Sequence, residues 1–238
     1  MTLHQVTSQL MNLSDYLKMS ELKILYQDDH LLAIDKPAGM LVHPGRDPEP
    51  DDQIAMKAVR NYLGKYVYIV HRLDRPTSGV LLFTLSKEAQ KNVSIQFQTW
   101  KVKKRYLAVT IGETEEKFSV DLPVKRNEDD EPAPSFTEFE KLNFIPKNDN
   151  CRHSFSLLSV NPHTGRHHQI RRHLAWNNLP IAGDYLYGDI DTNNEIAEIT
   201  GIPRMMLMAQ SLTVRHPVTG EDLTISAEPS EDFKFFGV

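Results

Sequence analysis

Residues 67–85, VYIVHRLDRPTSGVLLFTL, set a charged loop between two apolar runs. Both runs are rich in Val, Leu and Ile and have the length of buried strands. The loop between them contains Arg72, Asp74 and Arg75, which is more charge than a connection between strands requires. Loops held between strands lie at a sheet edge, where binding and catalytic sites are commonly built. This stretch predicts a sheet with a site beside it, and Asp74 is the first candidate side chain.

Short apolar runs alternate with polar turns along most of the remaining chain. The pattern predicts strands at 22–26, 31–34, 67–70, 80–85, 105–111, 136–144, 154–160, 211–214 and 223–225. Helices are predicted at 52–63, after Ser86 and at 166–176. Strands outnumber helices and mostly follow one another, which predicts an α+β fold with a mixed, mainly antiparallel sheet. A parallel nucleotide-binding sheet is not expected, because the glycine-rich phosphate motifs of such sheets are missing.

Length and composition indicate an ordinary globular chain. Its 238 residues, 40% hydrophobic and 25% charged, suffice for one large domain with a self-supporting core. We expect residues 21–238 to form that domain and residues 1–20 to form a tail. The lone Cys151 suits a reducing compartment. Since neither a signal peptide nor an apolar run of about 18 residues is seen, we expect a cytoplasmic protein with no membrane partner.

The formal net charge of −5 hides a segregation of acidic and basic residues. Acidic runs occupy 47–52, 113–116 and 128–131. Basic residues gather at 101–105 and throughout 150–183, a stretch with no Asp or Glu. Acid on one side of the molecule and base on the other favours a polyanionic partner. The alternative is an ordinary solvated surface.

Two interpretations of Asp74 are open from the residues alone. With an arginine on either side of it in sequence, its carboxylate should stay ionised, as a catalytic anion requires. Aspartates in such loops also commonly accept hydrogen bonds from backbone N–H groups and only stabilise a turn.

Residues 164–173, TGRHHQIRRH, form the second concentration of special side chains. Three histidines in it suggest a metal site, but adjacent histidines point apart on a helix and no further ligand motif accompanies them, so no metal is expected. A helix opened by Gly165 suits a phosphate at its N-terminus. Alternatively, one arginine reaches Asp74. At about 4 Å and an effective dielectric near 20, that attraction is worth about 4 kcal/mol before desolvation.

Taken together, the motifs resemble those of the RNA pseudouridine synthases typified by ribosomal large-subunit synthase A. The loop at 71–79 is similar to the family's H-R-L-D-x-x-T-S-G motif, and 104–106 to its K-x-Y element. Residues 164–173 are similar to T-G-R-x-H-Q-[IL]-R-x-H, and 183–188 to G-D-x-x-Y-G. Residues 35–39 match N-K-P-x-G except that Asp35 replaces Asn. The resemblance runs from about Leu22 to Ile225 and implies a mixed sheet with flanking helices and a central cleft.

The resemblance implies roles for single residues. Asp74 matches the catalytic aspartate, Arg171 the arginine that pairs with it, and Tyr106 the tyrosine that stacks on the target base and is often proposed as a proton acceptor. Arg72 matches the arginine that enters the space of the flipped nucleotide, and Ile170 an apolar residue of the pocket. Further substrate contacts are expected from Arg75, Thr77, Lys103, Lys104, Arg166, His168 and Arg172.

The implied reaction explains these residue types. Pseudouridine formation breaks the N1–C1′ bond of uridine, turns the base and joins C5 to C1′, so neither a cofactor nor a metal is expected. The carboxylate either attacks C1′ or assists departure of the base. Because the base must leave its helix, an arginine wedge and an aromatic stacking partner are expected.

The resemblance also suggests the substrate. About 20 residues precede the matching region, too few for the S4-type RNA-binding domain of some members, so no S4 domain is expected. Compact members act on tRNA, or on both tRNA and ribosomal RNA. The Arg75-Pro76 and Arg171-Arg172 variants and the Gly188-Asp189 extension resemble the subgroup that modifies uridine 65, although Tyr187 stands where that subgroup tends to have His. The alternatives are a dual synthase for tRNA and 23S ribosomal RNA, and a non-catalytic RNA-binding protein. The oligomeric state is not specified by the sequence, and a monomer is favoured.

Overall fold

The computed structural model describes residues 22–45, 53–126 and 129–238. The expected tail at 1–20 lies outside the described residues. The strands are β1 (Ile24–Gln27), β2 (Leu31–Lys36), β3 (Tyr68–Ile69), β4 (Ser78–Thr84), β5 (Lys103–Ile111), β6 (Lys117–Asp121), β7 (Phe136–Ile145), β8 (Phe155–Pro162), β9 (Leu207–Arg215) and β10 (Asp222–Ser226). The helices are α1 (Ala55–Leu63), α2 (Lys87–Gln98), α3 (Gln169–Trp176), α4 (Ile190–Thr200) and α5 (Glu231–Lys234).

One mixed sheet connects all these strands in the order β1-β2-β4-β9-β5-β8-β7-β6, with β3 added beside β4 and β10 beside β9. Among the pairings of the described strands, only β4 with β9 is parallel. The predicted α+β class with a mixed, mainly antiparallel sheet is therefore confirmed.

Both faces of the sheet are covered around β2 and β4. Leu32 and Ile34 pack with one hydrophobic cluster, whereas Leu31 and Ala33 pack with the other. Since successive side chains of a strand point to opposite faces, this alternation requires a strand buried on both sides. The continuous apolar run of β2 is the sequence signature of that burial.

Within the sheet, β4 and β9 are joined by a parallel pair that is only two residues long. Ser78 lies opposite Met208, and Gly79 lies opposite Ala209. Gly79 has φ +104°, and a Cβ atom at this position would lie 2.2 Å from the carbonyl oxygen of Ala209. Only glycine allows this conformation and this approach. The loop that carries Asp74 ends here, so this short contact positions it.

The predicted helices exist, with changes at their starts. The Ser86 hydroxyl accepts the N–H of Ala89, as an N-cap does, so the predicted start of α2 is confirmed. Helix α1 begins at Ala55 rather than at 52. Helix α3 begins at Gln169 rather than at 166, because His168 adopts a left-handed conformation with φ 54°. The hypothesis that Gly165 opens the helix was therefore wrong.

Three elements were not predicted: β6, α4 and α5. Conversely, β3 contains only two residues of the predicted strand at 67–70. Within the described parts of the chain, no helix has the length and apolar character needed to cross a membrane.

Candidate active site

A cleft of about 800 Å³ opens beside the short pair of β4 and β9. The Asp74 loop forms one wall, the segment 164–171 forms another, and Lys104 and Tyr106 on β5 also line it. Tyr106 packs against both hydrophobic clusters, so its ring lies where the two halves of the core meet. The two motifs at 71–79 and 164–173, about 90 residues apart in sequence, thus face one shared space.

Arg171 connects two carboxylates at the base of this cleft. Its Nη1 donates to Asp74 Oδ2 at 3.3 Å, which agrees with the expected pair. Its Nε and Nη2 each donate to Asp184 at 2.7 Å, in a buried bidentate pair that was not predicted from the sequence. Burial opposes the charge of Arg171, but the hydrogen bonds and charges of Asp184 and Asp74 outweigh it and raise its pKa. Arg171 is thus a fixed cation beside Asp74.

Asp74 presents its carboxylate to the cleft while its backbone forms the turn. The carbonyl of Asp74 accepts the N–H of buried Thr77 at 3.0 Å. Its side chain, 27% exposed, faces Arg171. A backbone hydrogen bond therefore closes the turn, and the Asp74 carboxylate remains accessible from the cleft.

Lys36 fastens the Asp74 loop to the loop after β2. Its fully buried ammonium donates to the carbonyls of Pro37 and Met40 at 2.9 Å and of Arg75 at 3.1 Å. Burial lowers the pKa of Lys36 to about 7, although the charge of Asp74 acts in the opposite direction. The lysine of the motif at 35–39 therefore holds the Asp74 loop against the loop after β2.

His168 approaches the same carboxylate from the α3 side. Its Nε2 lies 3.7 Å from Asp74 Oδ2, and its Nδ1 lies 2.9 Å from the hydroxyl of Tyr187. Burial lowers the pKa of His168 to about 4, so the ring is neutral near pH 7. Because Arg172 Nε donates to the Tyr187 oxygen at 2.8 Å, we infer that the Tyr187 hydroxyl donates its proton to Nδ1 of His168. The remaining ring proton then sits on Nε2 and points toward Asp74.

Tyr106 and Ile170 supply the apolar lining beside Asp74. Burial and the negative charge of Asp74 raise the pKa of Tyr106 well above its ordinary value. Tyr106 therefore remains a neutral phenol, which is suited to stacking and ill suited to accepting a proton.

Arg72 and Arg75 lie at the mouth of the cleft and are exposed. The Nη1 of Arg72 lies 3.3 Å from Nε2 of His43, and the Nε of Arg75 donates to the carbonyl of Gly39 at 3.1 Å. Both guanidinium groups are thus oriented at the entrance rather than at its base.

The remaining expected substrate contacts differ in position. Lys104 lines the cleft, but its ammonium donates to the Thr164 carbonyl at 2.6 Å, and burial lowers its pKa to about 8. Lys103, the preceding residue of β5, is exposed outside the lining because strand side chains alternate. Arg172 also lies outside the lining, where it donates to the carbonyl of Lys125 and to Tyr187. Arg166 lines the cleft.

Acid and base are not separated onto two sides as expected. Asp130 and Glu131, from one of the acidic runs, line the same cleft as Arg166. Residues 129–134, which precede β7, carry these carboxylates to the rim. The expected separation of acidic and basic residues onto two sides of the molecule is therefore not kept at this cleft.

The three histidines of the second motif do not converge. His173 is buried and lies within hydrogen-bond distance of the Thr137 hydroxyl and the Leu122 carbonyl. His167 stacks on His168, with ring centroids 3.8 Å apart. No group of three His, Cys, Asp or Glu side chains suited to a metal occurs among residues 22–45, 53–126 and 129–238.

His71 also has a structural position that its motif did not reveal. Its Nε2 accepts the N–H of Leu82 on β4 at 2.9 Å, and its ring stacks on Phe97 of α2. Burial, with a smaller effect of Lys104, lowers the pKa of His71 to about 3. A neutral imidazole therefore ties the start of the Asp74 loop to the sheet.

Comparison with known proteins agrees with this fold and cleft. Residues 30–176 match the family model described as RNA pseudouridylate synthase. The chain therefore belongs to the RNA pseudouridylate synthase family, as its motifs suggested.

Individual relatives match nearly the whole chain. It is 39% identical over 229 residues to tRNA pseudouridine synthase C of Yersinia pestis, covering 90% of this chain and 88% of that one. It is 40% identical over 222 residues to tRNA pseudouridine synthase C of Pasteurella multocida, covering 87% and 90%. Among solved structures, Human RNA Pseudouridylate Synthase Domain Containing 1 matches with a TM-score of 0.73 and 25% identity, over 88% of this chain and 84% of that one.

Proposed function

We propose that this protein is an RNA pseudouridine synthase that converts a uridine of tRNA into pseudouridine, with Asp74 as its catalytic residue. The observation that carries the proposal is the placement of the Asp74 carboxylate beside the fixed cation Arg171, in a cleft with an aromatic ring at its base. Membership of the family supports the reaction. The relatives named tRNA pseudouridine synthase C support tRNA as the substrate.

The reaction rearranges one nucleotide and needs no other reactant. The N1–C1′ bond breaks, the base turns, and C5 bonds to C1′; C5 then loses its proton and N1 gains one. The Asp74 carboxylate either attacks C1′ directly or assists departure of the base. Arg171 donates a hydrogen bond to the carboxylate and keeps it directed at the cleft in both routes.

The other lining residues bind the target nucleotide. Tyr106 stacks on the extruded base and Ile170 packs against it. Arg72, at the mouth of the cleft, occupies the space that the base leaves. Because Tyr106 is a neutral phenol, we assign acceptance of the C5 proton to water.

We further propose uridine 65 of tRNA as the target. The support is the resemblance of the Arg75-Pro76 and Arg171-Arg172 variants to the subgroup with that specificity. A paired uridine in a stem costs a few kcal/mol to extrude, which stacking on Tyr106 and contacts of Arg72 would offset.

Position-resolved pseudouridine mapping tests the proposal. The purified protein is incubated with unmodified tRNA and ribosomal RNA transcripts, and Asp74→Asn serves as the matched control. Pseudouridine at position 65 of tRNA, absent with the control, is the expected result. Modification of the anticodon-stem position 32 together with 23S ribosomal RNA would instead favour a dual-specificity enzyme, and binding without modification would indicate a non-catalytic protein.

A further inference from the structure

Trp100 lies at the rim of the cleft and is 41% exposed. It directly follows α2 and its cap residue Thr99. The guanidinium of Arg166 lies over the ring, with Cζ 4.9 Å from the ring centroid. The ammonium of Lys104 lies 5.8 Å from the same centroid. An exposed aromatic ring with two cations beside it is an arrangement that single-stranded nucleic acids recognise.

The backbone conformation of Trp100 is unfavourable for a bulky residue. The N–H of Trp100 donates to Phe97 and the N–H of Lys101 donates to Gln96, which together close the helix in a Schellman motif. This motif needs a left-handed residue, and Trp100 has φ 56°. Glycine is favoured at such a position, and α1 and α4 indeed end on left-handed Gly64 and Gly201. A bulky residue in this conformation suggests a role beyond ending the helix.

The residues beside the Trp100 ring favour a nucleobase as the group that binds there. Arg166 is held in place because its Nε donates to the Pro134 carbonyl at 3.1 Å. A Cβ atom at Gly165 would lie 3.7 Å from the indole. The segment that leads to Arg171 therefore packs directly on the ring. A nucleobase next to the target nucleotide would meet this flat cationic and aromatic surface on entering the cleft.

We propose that Trp100 and Arg166 form a stacking platform for an RNA base that flanks the target uridine and leaves its pair when the uridine is extruded. The proposal rests on the proposed function and deepens it, since it names how the strand next to the target is held. Stacking tolerates any base, so the platform adds affinity and orientation rather than sequence specificity.

Fluorescence provides a direct test because the chain has two tryptophans. The second, Trp176 at the end of α3, is exposed outside the cleft lining. In the Trp176→Phe protein, Trp100 is the sole indole. Titration with an unmodified tRNA transcript should quench its emission with the same midpoint as RNA binding measured by filter retention. Unchanged emission at saturating RNA would overturn the platform.

Substitutions at Trp100 separate a binding role from a structural one. Trp100→Phe should retain affinity within about threefold, whereas Trp100→Leu and Trp100→Gly should weaken binding by about 5- to 100-fold, the range for loss of one stacked base. Trp100→Gly should leave the urea midpoint unchanged or higher, because glycine suits the left-handed backbone. Trp176→Leu is the matched control and should change affinity less than about twofold.

The outcomes distinguish this proposal from the function on which it rests. Full affinity in Trp100→Leu and Trp100→Gly, with tritium release from 5-tritiated uridine intact, overturns the platform and leaves the enzyme assignment standing. Loss of affinity only together with a lower urea midpoint would make Trp100 structural and also overturns it. Failure of the unaltered protein to release tritium from any tRNA overturns both.

Discussion

Arg171 forms more and shorter hydrogen bonds with Asp184 than with Asp74. Two hydrogen bonds of 2.7 Å join it to Asp184, against one of 3.3 Å to Asp74. Asp184 is 1% exposed, and Leu186 donates a backbone N–H to it at 3.1 Å. The cation is thereby fixed before any substrate arrives, which is the preorganisation that electrostatic catalysis requires.

Removing Arg171 should destabilise the fold as well as stop turnover. Arg171→Met leaves Asp184 buried and unpaired, at an expected loss of about 3–5 kcal/mol in the free energy of unfolding. In Arg171→Met/Asp184→Asn no uncompensated charge remains at this pair, so part of that stability should return. Urea denaturation of the two single variants and the double variant measures the coupling. Strictly additive effects would show that the two residues do not act as a pair.

Tyr187→Phe should disturb His168 without unfolding the protein. The variant loses the hydroxyl that lies 2.9 Å from Nδ1 of His168 and that we assign as its donor, so both ring tautomers become populated. We expect about a 2- to 10-fold fall in kcat, the range of one hydrogen bond, with RNA affinity unchanged. Nitrogen-15 chemical shifts of the His168 ring report the tautomer, and Tyr185→Phe, an exposed neighbour, is the control. A single tautomer retained in Tyr187→Phe would contradict the assignment.

Stability should fall on acidification because of His71. Its pKa is lowered to about 3 in the folded protein, against about 6.5 in the unfolded chain. Between these values the unfolded state binds more protons, so the free energy of unfolding decreases as pH falls from 6.5 toward 3. His71→Gln keeps an acceptor for the Leu82 N–H but does not titrate. Its urea midpoint should change less over that window by the equivalent of a few kcal/mol, and an identical pH profile would contradict the inference.

The cleft rather than the outer strand surface should carry the ionic interactions with RNA. Arg126 lines the cleft and is exposed, whereas Lys103 lies outside the lining. Arg126→Ala should therefore flatten the logarithmic salt dependence of tRNA binding by about 0.7–0.9 for each phosphate that is no longer neutralised, and Lys103→Ala should not. Binding isotherms at several salt concentrations measure both slopes. The reverse pattern would place the RNA on the Lys103 face of β5.

The sequence predicted the sheet because apolar runs are local signals, whereas the meeting of Asp74 with Arg171 was implied by the resemblance of its motifs to the family. It did not predict Asp184 as the main partner of Arg171, since that interaction depends on how the turn after α3 folds back. Helix α4 was missed because only Asn193 and Ile196 in it are buried, too few to give a helical period. The left-handed backbone of His168, which delays the start of α3, likewise leaves no trace in composition.

Catalysis by Asp74 is tested most directly by comparing the unaltered protein with Asp74→Asn. Both are incubated with tRNA containing 5-tritiated uridine, and tritium release to water is measured together with RNA affinity. The amide is nearly isosteric with the carboxylate but is not an anion. We predict stoichiometric release by the unaltered protein, and none above background by Asp74→Asn at nearly unchanged affinity. Release by Asp74→Asn at a rate near that of the unaltered protein would contradict the role of Asp74.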